Sequence, residues 1–98
     1  MNIPNIQYVD AYKLSGQTGV LTSNQSRLIV EQARSLSRSA DVVAISMKGI
    51  SSLSINTAAE LCADIISDKE LATKIAITGS TPYVRQIIGI GMRNATKK

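Results

Sequence analysis

Apolar residues change their spacing several times along the chain, and each change marks a new element. Ile6 and Tyr8 face one way and Val9 and Ala11 the other, a loose alternation that predicts an extended strand across residues 5–14. Ser15-Gly16-Gln17-Thr18-Gly19 is turn chemistry, and Val20-Leu21 extends briefly after it, so a hairpin-like opening is expected. From Ser23 the period becomes helical. Leu28, Ile29, Ala33 and Leu36 form one stripe, Arg27, Glu31, Arg34 and Arg38 another, and Thr22 or Ser23 supplies the capping oxygen. Asp41 then introduces Val42-Val43-Ala44-Ile45-Ser46-Met47, a short run with the composition of a strand buried on both faces, closed by Lys48-Gly49.

After a connection over Ile50 to Leu53, Ala58, Leu61, Cys62 and Ile65 share one side of a second helix, with Ser54 or Asn56 as its cap. A further strand follows at Lys74-Ile75-Ala76-Ile77-Thr78. Gly79-Ser80-Thr81-Pro82 then provides a turn, a cap and a proline at the first helical position. The last helix points Val84, Ile87 and Ile88 inward and is expected to stop at Gly89. Strand and helix in this rhythm predict an α/β fold with right-handed crossovers. The expected sheet is small, mixed and largely parallel, with helices packed on it and the N-terminal hairpin supplying the mixed strands.

Composition narrows the class. With 98 residues, 44% hydrophobic and 18% charged, residues 1–98 make one domain with enough apolar surface to fold. No apolar run approaches a bilayer span, and Met1-Asn2-Ile3-Pro4-Asn5 has no signal-peptide character, so a cytoplasmic protein without a membrane partner is expected. A single cysteine agrees with a reducing compartment. The net charge of +4 is spread along the chain, and only Arg93 with Lys97 and Lys98 makes a locally basic stretch. Three aromatic residues, all tyrosine, give few platforms for stacking bases, which weighs against nucleic acid as the partner.

The chain has no histidine, which removes the commonest general acid-base group and the usual nitrogen ligand of zinc. Cys62 lacks a partner base, and its helical spacing makes it a core thiol. Glu60, Asp64 and Asp68 repeat at four-residue spacing, the pattern of a solvated helix face, and no converging oxygen ligands accompany them. Gly89-Ile90-Gly91 follows a helical segment and lacks a third glycine, so it is a weak match to a phosphate loop. A better anion site is Gly79, Ser80 and Thr81 at a helix start, with Arg85 one turn on, although the same residues are an ordinary way to begin a helix. No catalytic residue, metal or cofactor is expected.

The order strand, Gly49-Ile50, serine-rich turn, helix, strand, then Gly79-x-x-Pro82-x-Val84-Arg85-x-Ile87 resembles the STAS superfamily of sulphate transporters and anti-sigma factor antagonists. Gly19-Val20-Leu21-Thr22, Asp41-Val42-Val43, Gly49-Ile50-Ser51-Ser52-Leu53-Ser54 and Glu60-Leu61 resemble in particular the STAS-like domain of unknown function found in bacteria and their mobile elements. The likeness covers about residues 19 to 92. It implies a noncatalytic regulatory module of a bacterial or phage system, docking a protein partner such as a kinase-like ATPase. The implied contact residues are Ser51, Ser52, Ser54, Ile55, Asn56, Thr57 and Glu60. The chain departs from the family pattern at the switch hydroxyl, whose aligned position is Ile55 with Ser51, Ser52, Ser54 and Thr57 nearby, so a constitutive or differently regulated docking surface is expected.

The chain also stops near where STAS domains add another strand and helix. A sheet edge and apolar helix faces left uncovered by the shorter domain imply a homodimer. Two other readings stay open. One is a nucleotide- or anion-responsive domain using Gly79, Ser80, Thr81 and Arg85. The other is a nucleic-acid adaptor using Arg93, Lys97, Lys98 and the face from Arg27 to Arg38. Of Leu53 and Ile55, one is expected to pack inward and the other to face a partner.

Overall fold

Three β-rich segments find their hydrogen-bond partners in one another, and the helices between them close the core on one side. The computed structural model describes residues 3–96. Its main sheet contains β1 (Ile6–Asp10), β3 (Val42–Ser46) and β5 (Ile75–Thr78) in the order β1-β3-β5, and both pairings are parallel. A second, two-stranded parallel ribbon joins β2 (Val20–Leu21) to β4 (Ser52–Leu53). The helices are α1 (Ala11–Leu14), α2 (Ser23–Ser37), α3 (Ile55–Ile66), α4 (Lys69–Lys74) and α5 (Pro82–Thr96). The α/β class and the largely parallel sheet are as the sequence predicts.

Several local expectations are corrected. The first strand ends at Asp10, whose carboxylate accepts from Lys13 N and caps the single-turn helix α1. No hairpin follows, because Val20 and Leu21 pair with Ser52 and Leu53 instead of turning back on β1, so every strand pairing described is parallel. On α2 the buried stripe is Ser26, Ile29, Val30, Ala33 and Ser37, while Leu28 is 48% exposed. Apolar spacing alone could not choose between Leu28 and Val30, which lie on different sides of the same helix. Lys74 ends α4, a short helix whose cap is Asp68 and whose one buried anchor is Leu71.

The last helix does not stop at Gly89 but runs to Thr96. Packing explains the difference. A Cβ on Gly91 would stand 2.7 Å from both the carbonyl carbon and the Cβ of Ala58, so the glycine is what lets α5 lie against α3. Cys62 Sγ lies 3.9 Å from the Ile88 carbonyl oxygen, and later residues of α5 meet earlier residues of α3, so the two helices run antiparallel. The contact makes up for the roughly 1 kcal/mol that glycine costs inside a helix.

Strand register sorts the side chains. Val9, Val43 and Ile45 turn to the helices and are fully buried, with Ile75 and Ile77 packed at the margin of the same core. The opposite face carries Ile6, Tyr8 and Asp10 on β1, Val42, Ala44 and Ser46 on β3, and Ala76 and Thr78 on β5. On that face Ile6 is 44% and Tyr8 64% exposed along the β1 edge, whereas Ala44 on the central strand is 4% exposed.

Candidate functional site

The residues singled out between Ser51 and Glu60 fall at the meeting of two helix starts. Gly19 makes this possible: with φ at +78°, it brings its carbonyl to accept hydrogen bonds from the backbone amides of Ser51 and Ser52, and a Cβ there would stand 3.0 Å from the Gly49 carbonyl oxygen. The β2–β4 ribbon then delivers the chain into α2 on one strand and α3 on the other.

Each helix start is closed by its own side chains. Thr22 and Gln25 form a reciprocal capping box on α2, and Ser54 Oγ accepts from Thr57 N at 3.0 Å on α3. Hydroxyls then link the two helices. Ser54 Oγ donates to Thr57 Oγ1 at 2.9 Å, Ser23 Oγ lies 3.4 Å from Thr57 Oγ1, and Ser23 Oγ donates to Glu60 Oε1 at 3.3 Å. Thr57 sits beneath this chain and is buried. Ser51, Ser54, Ile55, Asn56 and Glu60 are exposed around it, and Ser52 is half-buried. The choice between the two apolar residues of the turn is settled: Leu53 enters the core and Ile55 stays 41% exposed. Behind Ser23, the Ser26 hydroxyl is buried without a hydrogen-bond partner.

Two contributions to this surface had no clear signal in the sequence. Val20, paired with Ser52 across the ribbon, is 48% exposed. The C-terminal half of α5, antiparallel to α3 and in contact with β4, brings Met92 at 39% exposure to the same end. The expected stop at Gly89 hid the second of these. The α5 extension also carries Arg93, exposed, while Lys97 and Lys98 lie outside the described residues.

The turn at Gly79 is packed on Lys48. Thr81 Oγ1 accepts from Val84 N at 3.2 Å and is thereby used as the α5 cap; Ser80 is half-buried, and Gly79 and Arg85 are exposed. Arg27 and Arg34 on α2 and Arg38 at its C-cap are exposed, and Arg34 Nε bonds Asp68 Oδ2 at 2.9 Å. Asp68 is held below the usual carboxylate range, first by the hydrogen bond from the Leu71 amide and then by Arg34. Cys62 is fully buried, and burial pushes its thiol up.

Among the described residues no cavity opens and no three carboxylate or thiol side chains converge as a metal site would require. No described helix is long and apolar enough to cross a membrane. The strand order offers a physical reason for the missing cleft. In open α/β sheets ligand crevices form where the strand order reverses, and the order β1-β3-β5 never reverses. No protein-family model, curated protein or solved structure matches this chain.

Proposed function

We propose that this chain is a noncatalytic, STAS-like docking module of a bacterial or phage regulatory system, working in the cytoplasm. Its protein partner, such as a kinase-like ATPase, contacts the surface from Ser51 to Glu60. The single observation that carries the reading is the platform itself: two capped helix starts, locked by the Ser23–Thr57–Ser54 hydroxyls, hold Ile55 and Asn56 outward on a rigid base. Rigidity matters because a preordered surface loses little conformational entropy when a partner binds. Small side chains on either side of Ile55 let a partner backbone approach closely, and Val20 and Met92 enlarge the apolar contact. Because Ile55 has no hydroxyl, phosphorylation at that position cannot release the partner.

The test compares affinity capture by wild-type protein with capture by Ile55→Glu and Asn56→Arg. Both positions are exposed in the first turn of α3, where a Glu is electrostatically tolerated by the helix. Expected is loss of the same captured protein with both variants, while far-UV spectra and melting cooperativity stay at wild-type values, and normal capture with Arg85→Ala. Normal capture by both variants rejects the surface. Loss with Arg85→Ala, together with stabilisation by nucleotide, points to the Gly79 turn; loss with Arg93→Glu and a steep salt dependence points to nucleic acid.

A further inference from the structure

We infer that the outward line of α5 is a docking surface for duplex DNA, holding the phosphate backbone on both sides of the major groove. All seven acidic residues of the chain precede Ile75, where seven of its eleven basic residues offset them. The net charge of +4 therefore arises wholly from Arg85, Arg93, Lys97 and Lys98. The first two stand on α5, and the other two follow it in the sequence.

The fold turns this asymmetry into a surface. Helix α5 packs on α3 and touches β4, with Val84 and Gly91 buried and Ile87 and Ile88 set against the core. The helical period places Arg85, Gln86, Gly89, Arg93 and Thr96 on the opposite side, and all but the half-buried Gly89 are exposed. Neither neighbour brings a carboxylate to this line. β4 has none, and Glu60 of α3 reaches Ser23 on α2, the far side from α5, with Asp64 one turn further along that side. Among the described residues the one ion pair is Arg34 with Asp68, so Arg85 and Arg93 have no acidic partner there. Arg85 also stands at the end of the first turn of α5, where a cation opposes the helix dipole, so the helix itself gains nothing from it.

The chemistry of the line selects the occupant. It carries cations, an amide and a bare centre, and no large apolar side chain. A protein partner, however acidic, needs a buried apolar or aromatic anchor, whereas a DNA interface is polar and positively charged. Arg85 and Arg93 are eight residues apart, about 12 Å along the helix, which matches the roughly 12 Å width of the B-form major groove. Each arginine thus reaches the phosphates of one wall. Between them Gly89, around which nothing lies within 4 Å, lets the backbone of α5 approach the groove. The deep, narrow major groove of an RNA duplex admits no such helix. Scarce aromatic residues weigh against stacking on single-stranded bases, and contacts to a duplex backbone need no stacking.

Fluorescence anisotropy of a fluorescein-labelled DNA duplex of mixed sequence and about 20 base pairs, titrated with the full chain, tests this. Expected is a dissociation constant of about 1–100 µM near 0.1 M salt, weakening about 100-fold between 50 and 200 mM as four phosphate contacts release their counterions. Arg85→Gln and Arg93→Gln should each weaken binding about three- to tenfold and lower the salt slope by about one, with far-UV spectra unchanged. Arg27→Gln on α2, where Glu31 stands one turn away, should change neither. No binding at about 50 mM salt, binding indifferent to both α5 variants, or an equal loss with Arg27→Gln overturns the proposal. Equal affinity for an RNA duplex of the same sequence also overturns it, because no helix then lies in the groove. So does displacement by poly-glutamate as effective as by unlabelled duplex at equal charge, which assigns the line to an acidic protein. None of these outcomes bears on the surface from Ser51 to Glu60.

Discussion

Two glycines two positions apart on α5 do opposite things. Around Gly91 there is no room, since Ala58 stands 2.7 Å from any added Cβ; around Gly89 nothing lies within 4 Å. Gly91→Ala must push α5 away from α3 or bend it, and overpacking of this kind costs about 1–3 kcal/mol. Gly89→Ala gains helix propensity and restricts the unfolded chain, which stabilises by about 0.5–1 kcal/mol. Urea unfolding of the two variants should give midpoints on either side of the wild type. If Gly91→Ala also loses its partner while Gly89→Ala does not, the position of α5 beside β4 matters to the docking surface.

At the scale of elements, α4 is a strut held from both ends. Its first turn is tied by Asp68, which accepts from Leu71 N and from Arg34, and its last by Lys74, whose Nζ donates to the Ser37 carbonyl at 2.7 Å. Because the folded state holds Asp68 below its ordinary value, its contribution is fully present above that value of 3.8 and is lost as pH falls through the lowered one. Asp68→Asn keeps a capping oxygen and should lower the urea midpoint less than Asp68→Ala, which loses cap and ion pair together. In acid titrations both variants should show a shallower loss of stability below pH 4 than the wild type.

The same element shows what could be read from sequence. Helices α2 and α3 were legible because their caps, Thr22 and Ser54, precede long apolar stripes, and β3 and β5 because their apolar runs are bounded by turn residues. Helix α4 was not, because six residues with one buried leucine have no periodicity to detect. The N-terminal hairpin failed for a different reason. Gly16 and Gly19 do make a turn, but a turn fixes only a change of direction, and the partner of Val20 and Leu21 lies more than thirty residues away. At the site, the exposed turn and both helix caps were visible in the serines and threonines. The participation of Val20 and Met92 depends on tertiary pairing, which no local pattern encodes.

On the scale of the whole molecule, the strand arrangement governs how the chain comes together in time. Ile6 pairs with Val42 and Val43 with Ile75, so each pairing in the main sheet closes a loop of more than thirty residues, and no neighbouring pair of strands can zip locally. Closing such loops costs entropy before any contact is made, which slows folding relative to a helical bundle of this size. It also singles out β3, which must be in place before either outer strand has anything to pair with. Ile45→Val should therefore slow refolding in stopped-flow measurements by nearly its full equilibrium effect, whereas Ile77→Val should mainly speed unfolding. During synthesis, β1 emerges before β3, so residues 6–10 wait with both edges open until Val42–Ser46 follows, an interval in which the unpaired strand is exposed to pairing elsewhere.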